Sequence, residues 1–354
     1  MTLRRVVGAV AALGLLLGAG AAHAAGAADW QVLPTGSTER LRGLSVVDAQ
    51  VAWASGNGGT VVRTVDGGKH WDVFRVPGAS ELDFRDVEGF SAQSATVLAV
   101  GPGELSRIFH TADGGRTWQV QLHNKDPRVF LDAMAFWDER NGLAFGDPVD
   151  GRFVVLRTAD GGATWSPVPP EALPPILENE GGFAASGTSI ATLRPNAAWF
   201  STGSPSGARV YSTADRGRTW QVADAPLARG ESAGGYSLLF WSPKDGVVVG
   251  GNHRAPGSTA GTAAFTQDGG RTWQAATALP RGYRSAVTLV PGAPVPTLVA
   301  AGPSGSELST DGGRTWAPLS TKGFHAVAAD PSGGLWAVGE EGRAARLTLP
   351  KQAR

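Results

Sequence analysis

Short runs in which apolar residues dominate or alternate with polar ones recur along the whole chain, separated by Gly, Asp and Asn. One stretch shows the pattern: Asp86 to Phe90, Thr96 to Val100, Ser106 to His110 and Trp118 to Leu122 read as four consecutive strands, A to D. A two-residue period in short segments bounded by turn residues predicts antiparallel sheet. No comparable stretch carries the 3.6-residue period of an amphipathic helix, so the expected class is all-β.

The strands group into a repeated unit. Six related octets, TVDGGKHW, TADGGRTW, TADGGATW, TADRGRTW, TQDGGRTW and STDGGRTW, end at Trp71, Trp118, Trp165, Trp220, Trp273 and Trp316. Successive tryptophans lie 47, 47, 55, 53 and 43 positions apart, the spacing of propeller blades. Within each octet the Thr or Ser hydroxyl and the Asp carboxylate (Asp66, Asp113, Asp160, Asp215, Asp268 and Asp311) are placed to accept backbone N–H bonds of their own turn. Gly supplies positive φ where the chain reverses, and the Trp starts strand D with its ring against the blade. These residues read as structural. Each aspartate falls on a different blade, which argues against a shared metal or a catalytic cluster.

Six octets define six blades, yet His325 to Ala329, Leu335 to Val338 and Ala344 to Leu349 form three further strands with no octet after them. Trp30-Gln31-Val32-Leu33 matches the D strands that begin at Trp118 and Trp220. The N-terminal strand is therefore expected to complete a seventh blade and close the ring, removing its open edges. Arg4-Arg5, an apolar stretch from Val6 to Ala19 and Ala22-His23-Ala24 have the pattern of a signal peptide cleaved after Ala24, for Sec or twin-arginine export. The apolar run is short for a membrane span, and no Cys is present to carry a lipid. The expected organisation is a signal peptide over 1–24 and one propeller domain over 25–354, periplasmic or secreted and not membrane-anchored.

Lys plus Arg and Asp plus Glu balance at 31 each, so a nucleic-acid partner lacks its electrostatic driving force. The absence of Cys leaves stability to packing. If octets occupy C-to-D turns, then B-to-C and D-to-A connections project from the opposite face. The long ones, Pro169 to Gly187, Ala225 to Tyr236 and Asn252 to Gly261, are where binding is expected. They and the GDPVDGR turn carry the candidate ligand or partner residues: Asp147, Asp150, Arg152, Glu178, Glu180, Ser186, Thr188, Ser189, Glu231, Ser232, Tyr236, Asn252, His253 and Arg254. Asp147 with Asp150, and Glu178 with Glu180, are the carboxylate pairs a glycosidase would need. No HExxH, Cys/His cluster, GxSxG elbow or flavin, haem or nicotinamide fingerprint occurs. No catalytic constellation, metal site or cofactor is expected.

The octets resemble the Asp-box, or bacterial neuraminidase repeat. Sialidases share it, typically on six blades with an Arg-Ile-Pro motif and a Tyr/Glu nucleophile pair. Here Arg107-Ile108-Phe109 stands in place of that motif, and none of Tyr211, Tyr236 and Tyr283 has such a setting. GDPVDGRFVVLRTADGG from Gly146, FAASGTS from Phe183, STADRGRTW from Ser212, SAGGYSLLF from Ser232 and VVVGGN from Val247 resemble the bacterial relatives of the photosystem II stability and assembly factor family. That resemblance implies an exported, seven-bladed, non-catalytic binding or assembly scaffold with a protein partner in the cell envelope. Some relatives are described as oxidoreductases, and phototrophic members act through an arginine-lined face. The candidate arginines here are Arg42, Arg85, Arg128, Arg152, Arg254 and Arg284, with acids nearby. A glycan-active enzyme or lectin of sialidase type, using Asp147, Asp150, Glu178 or Glu180, is the alternative.

Overall fold

A computed structural model describes residues 29–349, in which seven antiparallel four-stranded sheets form the blades of a propeller. The inner strands of blades 1 to 7 are Leu41–Val46, Asp83–Gly89, Leu131–Phe136, Ile190–Leu193, Ala233–Phe240, Ala286–Leu289 and Ala326–Ala329. In blade 7 three strands come from the C-terminal end and the outermost, Gln31–Pro34, from the N-terminal end, with Gln31 opposite Arg346 and Pro34 opposite Arg343. The expected closure is present. Trp30 is 1 % exposed, packs 5.1 Å from the Phe324 ring, and donates its indole N–H to Ser306 Oγ at 3.0 Å. The proposed leader, 1–24, lies outside the described residues.

The octets fold as their residue types require. In blade 2 the Gly115 amide donates to Thr111 Oγ1 at 2.9 Å, while Asp113 accepts the Thr117 amide at 2.9 Å and the Thr117 hydroxyl at 2.6 Å. His70 replaces that last hydroxyl in blade 1, its Nδ1 lying 2.6 Å from Asp66. Gly114 and Gly115 hold φ near +79° and +89°, where a Cβ is strained. The tryptophan stands one residue before strand D rather than starting it, since the D strand of blade 2 is Gln119–His123. Burial of the octet tryptophans is also uneven: Trp220, Trp273 and Trp316 are buried, whereas Trp71, Trp118 and Trp165 are only partly so.

The sheets face one another, so the core is a series of apolar layers between neighbouring blades, such as Phe145, Phe200 and Tyr211 between blades 3 and 4. The inner strands leave one edge unpaired toward the channel, and side chains of the preceding blade cap it. Ser45 accepts the Gly89 amide at 3.0 Å, Asp86 the Met134 amide at 2.7 Å and Ser237 the Val287 amide at 2.9 Å. Capping of this kind answers the exposed-edge problem inside the ring. No helix among the described residues is long and apolar enough to cross a membrane.

Candidate functional site

Four inner strands are broken by a β-bulge near their first residues, on the face opposite the octets. The register shifts between Leu41 and Gly43, Phe84 and Asp86, Leu131 and Ala133, and Gly235 and Ser237. The residues carried by the bulges are Arg42, Arg85, Asp132 and Tyr236. A bulge re-aims the side chain it carries and concentrates twist. Two guanidinium groups, a carboxyl and a phenol thus gather at this mouth of the channel.

The connection from blade 3 to blade 4 runs across that mouth. Arg85 donates to the Ala184 carbonyl at 2.6 Å and Arg42 to the Ala185 carbonyl at 2.9 Å. Ser186 donates to the Ser285 carbonyl of blade 6 at 2.7 Å, and Phe183 stacks on Tyr236 of blade 5 with centroids 4.0 Å apart. Residues 182–188 therefore touch blades on opposite sides of the ring. Gly182 and Gly187 permit the approach, because a Cβ at either position would run into a carboxylate oxygen, of Asp132 and Asp86 respectively.

Charge around this segment is unevenly compensated. Arg85 pairs with Asp83 at 2.7 Å, while Arg42 makes no ion pair among the described residues; burial, then the proximity of Arg85, pushes its guanidinium down to about 10. Asp132 is 1 % exposed and its Oδ2 has no hydrogen-bond partner. Burial first, and Asp147 second, push it well above the usual carboxylate range. Asp147 is itself raised by burial, although it accepts the Gly182 amide at 2.9 Å. Burial also raises Asp86, to about 7. His325 lies 2.6 Å from Glu340, but burial, then Arg42, hold it down to about 4. The groups at the mouth that lack an ion-pair partner among the described residues are thus the Arg42 guanidinium and the acids Asp86, Asp132 and Asp147, in each of which burial favours the protonated form.

Of the sequence candidates, Ser186, Thr188, Tyr236, His253 and, through Gly182, Asp147 meet at the mouth. Thr188 bonds both Ser186, at 2.8 Å, and Ser237, at 2.7 Å, and the Tyr236 hydroxyl lies 2.7 Å from His253 Nδ1. Tyr236 is buried on an inner strand that starts at Ala233, rather than lying in a surface loop. Glu231 and Arg254 form an exposed pair at 3.9 Å. Asn252 accepts the Ser232 hydroxyl at 2.8 Å and the Arg254 amide at 2.9 Å, bracing that loop. Ser189 is buried with its hydroxyl unpartnered.

The carboxylate pairs do not assemble. Glu180 is wholly buried in an ion pair with Arg209, and also accepts the Thr202 hydroxyl at 2.5 Å and the Leu177 amide at 2.7 Å. The expectation that it stands free on a polar loop is corrected: the chain folds back to satisfy it. Glu178 is exposed and makes no such contact. Asp150 forms the Asp150-Gly151 turn at φ 52° and pairs with Arg128 at 3.1 Å, while Arg152 bonds the Gly151 carbonyl at 3.1 Å. No two of Asp147, Asp150, Glu178 and Glu180 share a partner. Arg284 is likewise removed from the surface, buried against Glu307. No group of three or more potential metal ligands occurs among the described residues.

Sequence reasoning passed over Phe183, Tyr283, Asp83, Asp86 and Asp132 as site residues, and named Arg42 and Arg85 only among six candidate arginines. The available signal was positional, since Leu41-Arg42-Gly43 and Phe84-Arg85-Asp86 set a charge between residues that pack into blade cores.

A family profile for the photosynthesis system II assembly factor YCF48 matches residues 22–131. The photosystem II assembly protein Ycf48 of Synechococcus sp. (strain JA-2-3B'a(2-13)) is 25 % identical over 271 residues, covering 56 % of this chain and 78 % of that one. Its counterpart in Thermosynechococcus vestitus (strain NIES-2133 / IAM M-273 / BP-1) is 29 % identical over 202 residues, covering 55 % and 49 %. The solved structure of YCF48 bound to D1 peptide superposes with a TM-score of 0.64 at 15 % identity, over 91 % of this chain and 95 % of that one. Repeats and ring closure make the chain a seven-bladed β-propeller, and over part of its length its sequence is similar to photosystem II assembly factors.

Proposed function

We propose that this propeller is a non-catalytic assembly scaffold that engages a polypeptide segment of a client protein in the cell envelope, after export directed by residues 1–24. The supporting observation is the way Arg42 and Arg85 are used. Each donates to a main-chain carbonyl of the 184–185 segment, so the mouth already holds polypeptide main chain without reading its side chains. Tyr236, His253 and the exposed pair Glu231 and Arg254 supply polar and aromatic contacts beside it. The similarity to a propeller solved with a bound peptide supports the same reading. A glycan ligand is less well supported, because the carboxylates it would use do not come together as a pair, and Asp147, Asp150 and Glu180 are each engaged by a different partner.

The test is photo-crosslinking in the cell envelope from residues replaced one at a time by a photoreactive amino acid. Positions 178, 231 and 254 are expected to capture one common protein, whereas exposed Val73 and Val120 on outer strands capture none of it. Crosslinks confined to the outer strands, or glycan turnover by the purified protein, would overturn the proposal.

A further inference from the structure

The strap formed by residues 182–187 crosses the mouth without joining a blade. At one end Gly181 exchanges main-chain bonds with Gly203 at 3.0 and 3.1 Å, and at the other the Thr188 carbonyl accepts the Leu238 amide at 2.9 Å. Between these ties no main-chain group of the strap bonds a main-chain group of a blade among the described residues. Side chains hold it instead, as they would a bound peptide. Asp147 accepts the Gly182 amide, Arg85 and Arg42 donate to the carbonyls of Ala184 and Ala185, and Phe183 stacks on Tyr236. Backbone held in this way opens more readily than backbone paired in a sheet.

The strap also fills its seat incompletely. Asp132 Oδ2 is buried against Gly182 and receives no hydrogen bond. Arg42 gives the strap only its Nε–H, and its two Nη groups find no acceptor among the described residues. Unmet polar groups of this kind call for an explanation, and a polypeptide main chain carries both the N–H and the C=O that they lack. We propose that residues 182–188 are an internal competitor, occupying the mouth in place of the client segment and displaced when that segment binds. This rests on the assembly role and adds that the mouth is closed until a client opens it. A segment that meets the Arg42 Nη groups as well as Nε draws more from that residue than the strap does, so exchange favours the client.

The probe is a fluorescent, end-blocked peptide with the strap's own sequence, GGFAASGT, residues 181–188, titrated into the whole protein by anisotropy. In the wild type the tethered copy competes at an effective concentration of about millimolar, so the peptide binds weakly. Gly187→Ala sets a Cβ at φ +79° against the Asp86 carboxylate and unseats the strap; Phe183→Ala does so independently by removing the stack on Tyr236. Each should tighten peptide binding at least about tenfold, and adding Arg42→Ala and Arg85→Ala should abolish the gain. In the wild type the Gly182 amide should exchange at least about a hundredfold faster than amides in the central strands of blades 2 and 3, and without dependence on dilute urea. Equal affinity in wild type and both variants, no saturable binding to either variant, or Gly182 exchange at the rate of global unfolding would overturn the proposal. Client capture from position 231 keeps the two readings apart. Greater capture by Gly187→Ala supports the exchange, equal capture discards the strap's role and leaves the assembly role, and capture by neither protein discards both.

Discussion

Arg209→Met is a demanding perturbation, because it strands the Glu180 carboxylate inside the protein. The Glu180 side chain is 0 % exposed and that of Arg209 9 %. The Arg209 Nε to Glu180 Oε1 separation is 3.0 Å, worth about 5 kcal/mol at an effective dielectric of roughly 20. Without the guanidinium, Glu180 keeps only neutral donors: the Thr202 hydroxyl, the Leu177 amide and Tyr211 OH at 3.4 Å. The expected loss is about 3–5 kcal/mol, or roughly 5–10 °C in Tm. Arg209 also bonds the Pro175 carbonyl at 2.9 Å, so the change loosens the connection that carries residues 182–188 to the mouth. Adding Glu180→Gln removes the stranded charge, and the double variant should recover about 1–3 kcal/mol relative to the sum of the single changes. Urea unfolding of the four proteins, followed by tryptophan fluorescence, measures the coupling. Strict additivity, or a cost below about 1 kcal/mol for Arg209→Met, would refute the claim that Glu180 is a structural anchor, and would return it to the list of reactive groups.

Trp30→Ala should cost about 3–5 kcal/mol, more than Trp118→Ala, because Trp30 is buried between blades 6 and 7 and Trp118 is only partly buried; calorimetry of both variants ranks them. Asp66, Asp113 and Asp160 are held down to about 2, by hydrogen bonds from their own turns. Their unfolded values lie near 4, so their stabilisation is complete above about pH 4 and is lost as pH falls toward 2. Acid unfolding of Asp113→Asn should be shallower across that window. Asp86 runs the other way: its folded value of about 7 exceeds the unfolded one, so its contribution is greatest below about pH 4 and declines as pH rises to 7. Asp86→Asn, which keeps an acceptor for the Met134 amide, should flatten Tm between those limits. Gly187→Ala combines a φ of +79° with a collision on Asp86 and should displace residues 183–188, read as faster amide exchange there with the blades unchanged.

The architecture was legible because a propeller repeats its chemistry. Each octet needs a hydroxyl, a carboxylate and glycine at fixed offsets, and the seventh blade could be found from Trp30 and its missing partners. The mouth was less legible because its groups come from four separate inner strands and from the connections between blades. Arg42, Arg85, Asp132 and Tyr236 converge through bulges, and a bulge has no strong residue signature. Glu180 misled for a related reason: in LENEGG it stands beside exposed Glu178 and Asn179, and only the fold brings Arg209 to it. Polar residues in long connections are as often the pins of those connections as their function, as Ser186, Thr188 and Asn252 also show.

The direct measurement of the assembly role is the affinity of the crosslinked client segment for the wild-type propeller and for the Arg42→Ala, Arg85→Ala double variant, by calorimetric titration. Loss of the two guanidinium donors should weaken binding at least about tenfold while blade unfolding stays cooperative. An unchanged affinity in a correctly folded double variant would contradict the account.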